Sequence, residues 1–265
     1  MPFQEKPAYS ISDLLQIMEI LRSPKGCPWD REQTHQSIRR NFIEETYEAV
    51  EAIDTEDTAL LKEELGDVLL QVVFHARMEE EAGSFGFDDI CDGICKKLIH
   101  RHPHIFGDVN AGTSEEVLRN WESIKRQEKE QETVTQSLEQ VSRALPALIR
   151  SEKVQKRAAR VNFDYDDVSG AFADMESEVK ELQEAILEGD PDHQEEELGD
   201  ILFATVNVAR FLKIDPEDAL TKSTDKFVSR FSKVEALAKE RGIDVETAGF
   251  QVLDSLWKEV KNNCQ

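Results

Sequence analysis

Proline and glycine are scarce in this 265-residue chain, at 8 and 12 residues. Long stretches therefore run without the two strongest punctuators of local structure. Alternating β-branched runs bounded by turns are missing as well, so a strand signal is nearly absent. No stretch approaches 18 apolar residues, which leaves no membrane span to expect. Positive charge is in deficit: 32 Lys and Arg stand against 55 Asp and Glu, a net charge of -23. That balance excludes a general basic surface for nucleic acid. Only 4 cysteines occur, Cys27, Cys91, Cys95 and Cys264. Cys91 and Cys95 lie at i,i+4 spacing, but no second pair stands at zinc spacing. Reduced thiols in a cytoplasmic protein are the expectation. The opening MPFQEKPAYS has neither a basic start nor a following apolar stretch, so no signal peptide is read there.

What is present is helical periodicity and a repeat. Apolar residues recur at three and four over roughly 10–22, 34–53, 58–82, 87–101, 114–130, 146–160, 168–188, 193–213, 216–240 and 246–262, which predicts an all-α chain. Residues 63–77 read EELGDVLLQVVFHAR and residues 196–210 read EELGDILFATVNVAR, identical at 9 of 15 positions with an offset of 133. The matching extends further. Glu45 and Glu48 recur as Glu178 and Glu181, and Trp29-Asp30 sits where Phe163-Asp164 sits. Lys97 and Arg101 match Lys226 and Arg230, and Trp121 and Lys125 match Trp257 and Lys261. A fixed-period duplication sets the architecture. It predicts two helical domains, 1–130 and 131–265, joined through the polar stretch at about 126–145.

Each copy holds two carboxylate pairs, Glu45/Glu48 with Glu64/Asp67, and Glu178/Glu181 with Glu197/Asp200. Members three apart share a helix face. The turns between the pairs, Asp54 to Asp57 and Glu188 to Asp192, predict antiparallel helix hairpins. The register of those hairpins is not fixed by spacing alone. Gly66 and Gly199 stand inside each ELGD at a cost of about 1 kcal/mol against alanine, which suggests close helix approach there. The apolar run after Asp67, Val68 to Phe74, suggests a mostly buried helix. Partly buried carboxylates repel one another unless protonated or neutralised. A hard cation with oxygen ligands resolves this, and Mg²⁺ keeps several waters beside a few carboxylates. About one residue in five is acidic, so a single ExxE would mean only a solvated face. Duplication in register changes that weighting.

The basic and aromatic partners carry less. Lys97/Arg101 and Lys226/Arg230 suit a phosphate clamp, though i,i+4 pairing with surface acids is the usual fate of such residues. Trp121 and Trp257 suit stacking on a base, though core packing is commoner for Trp. Other chemistries fail on the residues. A di-iron bundle wants Glu-x-x-His pairs from facing helices, and neither ExxD offers the histidine. Asp164 to Asp167 lacks the spacing and glycine of an EF-hand loop, and His100 to His104 has no histidine copy in the second half. Neither GxxxxGK[ST] nor GxGxxG occurs.

These residues resemble a known family. Glu44-Glu45-Thr46-Tyr47-Glu48 followed by Glu64-Leu65-Gly66-Asp67 is similar to the EExxE and ExxD signature of MazG-type nucleoside triphosphate pyrophosphohydrolases, here with tandem domains. GCPWD at 26–30, RNFIEETYEA at 40–49, HRHPH at 100–104 and ELGDILFATVNVAR at 197–210 carry the resemblance over nearly the whole chain. It implies hydrolysis of NTP or dNTP substrates to nucleoside monophosphate and pyrophosphate, with Mg²⁺ as cofactor and Mn²⁺ as a substitute. It implies a house-cleaning role against non-standard or excess nucleotides, and a homodimer whose helices build the sites jointly. By the same resemblance, Glu178, Glu181, Glu197 and Asp200 are catalytic metal ligands of the second domain, with Glu45, Glu48, Glu64 and Asp67 their first-domain equivalents. Lys226, Arg230 and Lys261 would contact phosphates and Trp257 the nucleoside, as would Lys97, Arg101, Lys125 and Trp121 in the first domain. The motif's first Glu is Glu44 in the first copy but Ser177 in the second. Family precedent tilts the choice of working domain to the second, with the first also expected to be competent. Two other readings stay open: a related all-α pyrophosphohydrolase on another phosphorylated metabolite such as phosphoribosyl-ATP, and a catalytically degenerate helical scaffold or binding protein.

Overall fold

The computed structural model describes residues 4–128 and 133–262, and every regular element among them is a helix. The chain divides into two compact units, residues 1–128 and 129–265. The first holds α1 (Ile11–Arg22), α2 (Pro28–Glu32), α3 (Arg39–Asp54), α4 (Thr58–Glu81), α5 (Phe87–Arg101), α6 (Pro103–Phe106) and α7 (Ser114–Glu128). The second holds α8 (Val134–Glu139), α9 (Ala147–Ala159), α10 (Val168–Glu188), α11 (Pro191–Phe211), α12 (Pro216–Glu240) and α13 (Phe250–Asn262). Cys264 and residues 129–132, within the expected linker, lie outside the described residues. None of the described helices is long and apolar enough to cross a membrane.

Each unit is organised on a helix hairpin, α3 with α4 and α10 with α11, which are the most extensive helix pairings in the chain. The turn is built twice with the same parts. Asp57 caps α4 by accepting from the amides of Ala59 and Leu60 at 3.0 Å, and Asp190 caps α11 by accepting from Asp192 N at 3.0 Å. Such a cap stabilises by about 1 kcal/mol. The residue before each cap is left-handed: Glu56 has φ 55° and Gly189 has φ 77°. Glycine takes that conformation without steric cost, whereas a residue with Cβ does not. A second turn also demands glycine. A Cβ on Gly26 would meet the carbonyl oxygen of Leu21 at 2.1 Å, so the α1–α2 corner closes only around a bare Cα.

Packing follows the repeat. Ala52 and Ala185 sit in matching hairpin positions and are both buried, as are Val73 and Val206. In the first unit Met18, Ile38, Val73, Phe74 and Met78 form the core, with Leu14, Leu15, Leu70 and Phe87 packed on it. In the second unit Val234, Ala238, Leu256 and Val260 do so, with Trp257 and Leu253 against them. Each fully buried Val or Met stabilises by roughly 1.5–3 kcal/mol.

Several expectations need correction. Helix α3 starts at Arg39, not near 34, and is preceded by a turn in which Thr34 N donates to Ser37 Oγ at 2.9 Å and Ser37 N to Thr34 Oγ1 at 3.2 Å. Helix α13 starts at Phe250, not near 246, and is preceded by a turn in which Asp244 accepts from Glu246 N and Thr247 Oγ1. Three short helices were not expected, α2, α6 and α8, the last inside the polar stretch and capped by Thr133. The apolar run of α4 is only partly buried: Val73 and Phe74 are inside, while Leu69 is exposed.

Candidate functional site

The hairpin sets the height of each carboxylate above its turn. At 1.5 Å per residue, Glu45 and Asp67 lie about 14 Å from the first turn, and Glu48 and Glu64 about 9 Å. In the second copy Glu178 and Asp200 lie about 15 and 14 Å from the turn, and Glu181 and Glu197 about 10 and 9 Å, by the same rise. The register that spacing left open thus places the pairs opposite one another. Oxygen atoms of Glu45, Glu48 and Glu64 lie within 4.8 Å of one another, as do those of Glu178, Glu197 and Asp200. Asp67 and Glu181 stand outside those triplets, but close enough to act on them electrostatically.

Electrostatics in both clusters oppose ionisation. Desolvation pushes the carboxyl of Glu45 up, helped by the charges of Asp67, Glu48 and Glu64. Desolvation also raises Glu64, followed by Glu48 and Asp67. Glu178 is raised by desolvation first and then by Glu181, Asp200, Asp174 and Glu197. In the first copy Glu48 adds to the upward push on both Glu45 and Glu64. In the second copy Glu197 is 7 % exposed and its Oε2 is buried with no hydrogen-bond partner. A buried carboxylate oxygen without a partner is costly, and the all-oxygen donor set around it suits a hard divalent cation.

Neighbouring groups differ between the copies. Arg40 donates from Nε to Glu44 at 2.9 Å, whereas Ser177 Oγ, at the matching position, donates to Glu181 at 3.0 Å. His193, unremarked in the sequence, faces Glu197 Oε1 with Nε2 at 3.1 Å and Glu188 Oε2 with Nδ1 at 2.9 Å. Its i,i+4 spacing to Glu197 was the available signal. Tyr165 hydrogen-bonds Asp174, and burial with that bond raises its phenol. The expectation of close helix approach at the glycines fails. A Cβ on Gly66 or Gly199 would meet nothing within 4 Å. Both face outward from their hairpins, beside exposed Leu65 and Leu69 or Leu198 and Leu202.

The basic and aromatic residues lie on the neighbouring helices. Lys97 and Arg101 are on α5, which packs on α4. Arg101 is held by the Glu128 carboxylate and lies 5.3 Å from the Trp121 ring centroid. Glu128 is lowered by that guanidinium, with smaller contributions from His100 and Lys97. Trp121 is also met edge-on by His102 at 4.9 Å, and Lys125 follows one turn later, half-buried. In the second unit exposed Lys226 and half-buried Arg230 are on α12, which packs on α11 and α13. No carboxylate among the described residues holds either of them. Trp257 packs on Phe227 at 5.0 Å and on the unit's core, and Lys261 is exposed. A cavity of about 620 Å³ lined by Met18, Val73, Arg77, Glu80 and Phe87 opens toward the other end of α4, away from the acids.

The family model described as the MazG nucleotide pyrophosphohydrolase domain matches residues 33–106 and 170–235, one segment over each hairpin. The chain belongs to the MazG family. A nucleoside triphosphate pyrophosphohydrolase/pyrophosphatase MazG of Thermotoga maritima is 47% identical over 249 residues, 94% of each chain. A nucleoside triphosphate pyrophosphohydrolase of Escherichia coli K12 is 44% identical over 256 residues, 95% of this chain and 97% of that one. A crystal structure of a mazG-related protein from Thermotoga maritima aligns with a TM-score of 0.38 at 27% identity, covering 44% of this chain and 99% of that one. Both acid-bearing hairpins therefore fall inside MazG-matched segments. Of the basic and aromatic residues, Lys97, Arg101, Lys226 and Arg230 do so as well, while Trp121, Lys125, Trp257 and Lys261 lie beyond them.

Proposed function

We propose that the protein hydrolyses nucleoside triphosphates to the monophosphate and pyrophosphate, with a divalent cation at the second hairpin as the working centre. The reaction rests on relatives that carry this activity in their names and match over nearly the whole chain. The cation rests on one observation above the others: the buried, unpartnered Oε2 of Glu197, beside a Glu178 carboxyl that burial and its acidic neighbours push up. Glu178, Glu181, Glu197 and Asp200 would hold it, with Glu45, Glu48, Glu64 and Asp67 as the first-copy set. Mg²⁺ is the natural choice for this donor set, with Mn²⁺ able to stand in. When bound, such an ion offsets the charge that develops on the phosphate oxygens.

The chain's own residues supply the rest. Arg230 and Lys226 bind the β- and γ-phosphates, Arg through paired donors and Lys as a point charge. Lys261 adds a third cation, and Trp257 offers a ring to the nucleoside. In the first unit Lys97, Arg101, Lys125 and Trp121 are the equivalents. Water attacks the α-phosphorus, the bond to the bridging oxygen breaks, and pyrophosphate leaves into the basic cluster. A cytoplasmic house-cleaning role against non-standard or excess nucleotides suits this product pair, because pyrophosphate release removes the triphosphate from use in polymerisation.

Dimer formation belongs to the same reading. Leu198 and Leu202 are 50% and 53% exposed, with Gly199 between them, and Leu65, Gly66 and Leu69 repeat the pattern. Apolar side chains one turn apart, flanking a glycine with open space over it, give a second copy of the chain a face to pack on.

Product analysis with Mg²⁺ tests the reaction. The wild type should convert NTPs to NMP and pyrophosphate, and millimolar Mg²⁺ should raise its melting temperature, since a ligand bound to the native state stabilises by mass action. NDP with phosphate, or turnover indifferent to chelator, would sink the proposal in favour of the scaffold reading.

A further inference from the structure

Among the described residues, one side chain outside the eight carboxylates joins a candidate ligand to the far end of the hairpin. His193 is on the first turn of α11, and its Nε2 faces Glu197 Oε1 at 3.1 Å. Its Nδ1 faces Glu188 Oε2 at 2.9 Å, and Glu188 is the last residue of α10. The imidazole therefore ties the end of one hairpin helix to the acid on the other. Only Oε1 of Glu197 is engaged in this way, while Oε2 stays buried and unpartnered. The first copy has Leu60 at the matching position, a side chain that cannot engage Glu64 in this way.

We propose that His193 is a positioning residue of the second site, fixing the Glu197 carboxylate through Oε1 so that Oε2 remains available to a divalent cation. The inference rests on reading this cluster as a cation site. A ligating carboxylate that is itself hydrogen-bonded keeps its orientation before the ion arrives, and less side-chain freedom is lost on binding. The competing reading is an ordinary i,i+4 pair on a half-exposed face, which would leave cation affinity untouched. Leucine is the informative replacement, because the first copy already carries it.

The test uses the full chain with Glu45→Gln and Glu48→Gln, so that the second cluster is titrated without the first. Mn²⁺ affinity is measured by calorimetry for this background and for His193→Leu, His193→Gln and Glu197→Gln within it, with helical content checked by circular dichroism. Loss of an outer partner of this kind typically costs about 10- to 100-fold in metal affinity. His193→Leu should weaken Mn²⁺ by that factor. His193→Gln, whose amide can donate to Glu197 from a similar place, should stay within about threefold of the background, well below that range. The Mg²⁺ concentration for half-maximal turnover should follow the same order, with kcat at saturating Mg²⁺ nearly restored. Unchanged Mn²⁺ affinity in His193→Leu, or a glutamine variant no better than the leucine one, overturns the positioning role. If Glu197→Gln also binds Mn²⁺ as the background does, the cation reading itself has failed, and that outcome is recognisable separately.

Discussion

Glu64 and Glu197 occupy the same place in the two hairpins, and both are buried, but their neighbours differ. Glu64 is desolvated and crowded by the like charges of Glu48 and Asp67. Glu197 meets His193 on one oxygen and nothing on the other. The basic residues diverge in the same sense. Arg101 is engaged by Glu128, whereas no carboxylate among the described residues holds Arg230. In the first copy the guanidinium is engaged from within the protein. In the second copy an anionic oxygen and a cationic guanidinium are both left for something else. Conservation of the acids between the copies thus hides a difference in what remains for a metal ion and a triphosphate, and this favours the second copy despite Ser177.

The largest effect that would sharpen this contrast is on assembly. Leu198→Glu with Leu202→Glu should break the proposed dimer. Each leucine loses about 1.5–3 kcal/mol of burial, so the dissociation constant should rise on the order of a hundredfold or more, read by light scattering against concentration. The same pair of changes at Leu65 and Leu69 tests whether both copies form the interface. A wild type that is monomeric at all concentrations removes the dimer from the account.

Next in size is the guanidinium comparison. Arg230→Ala should raise KM for the triphosphate by about 10- to 100-fold, the worth of a hydrogen bond to a charged group. Arg101→Ala should change KM little and lower the melting temperature slightly, because its partner is Glu128. Equal kinetic losses would show that the ion pair with Glu128 does not set Arg101 apart.

A smaller effect lies in the turns. Glu56 holds a left-handed conformation that Gly189 holds without strain. Glu56→Gly should stabilise by about 0.5–1 kcal/mol, the left-handed penalty less the entropy of glycine, and Gly189→Ala should destabilise by about 1 kcal/mol. Urea denaturation reads both, and opposite signs are the point of the pair.

The smallest concerns pH. Glu45, Glu64 and Glu178 are raised above their ordinary 4.5. Folding therefore favours their protonated forms, and stability in chelator should fall as pH rises from about 4.5 through the raised values. Glu178→Gln removes one such charge and should stabilise the chelated protein by less than about 1 kcal/mol, because the group is only half-buried and solvent screens it. Asp13 has the opposite sign. Lys6 and the amide and hydroxyl of Ser10 hold it at about 2, so its contribution is present above 3.8 and is lost as pH falls toward 2. Melting temperature against pH, with Glu178→Gln and Asp13→Asn compared, separates the two.

Much of the architecture was legible because the duplication wrote it twice. The hairpins, the acid pairs on them and the matched burial of Ala52/Ala185 and Val73/Val206 all follow the offset of 133. Helix starts were less legible where a capped turn precedes the helix proper, as at Thr34 to Ser37 before α3 and Asp244 to Thr247 before α13. The glycines of ELGD were misread because a helical glycine signals only that a side chain is absent, not which neighbour needs the room. His193 escaped notice because it has no counterpart in the first copy, and attention to the repeat favours what recurs. The hold of Glu128 on Arg101 spans 27 residues and two helices, a pairing that no local pattern announces.

The most direct test of the central claim is product analysis on three proteins: wild type, Glu45→Gln/Glu48→Gln and Glu178→Gln/Glu181→Gln, each with NTP and Mg²⁺. The account predicts NMP and pyrophosphate from the first two, and loss of turnover by more than about a hundredfold in the third, beyond the 10- to 100-fold typical of outer-partner changes. Activity that survives the second-hairpin changes and disappears with the first-hairpin ones would contradict it.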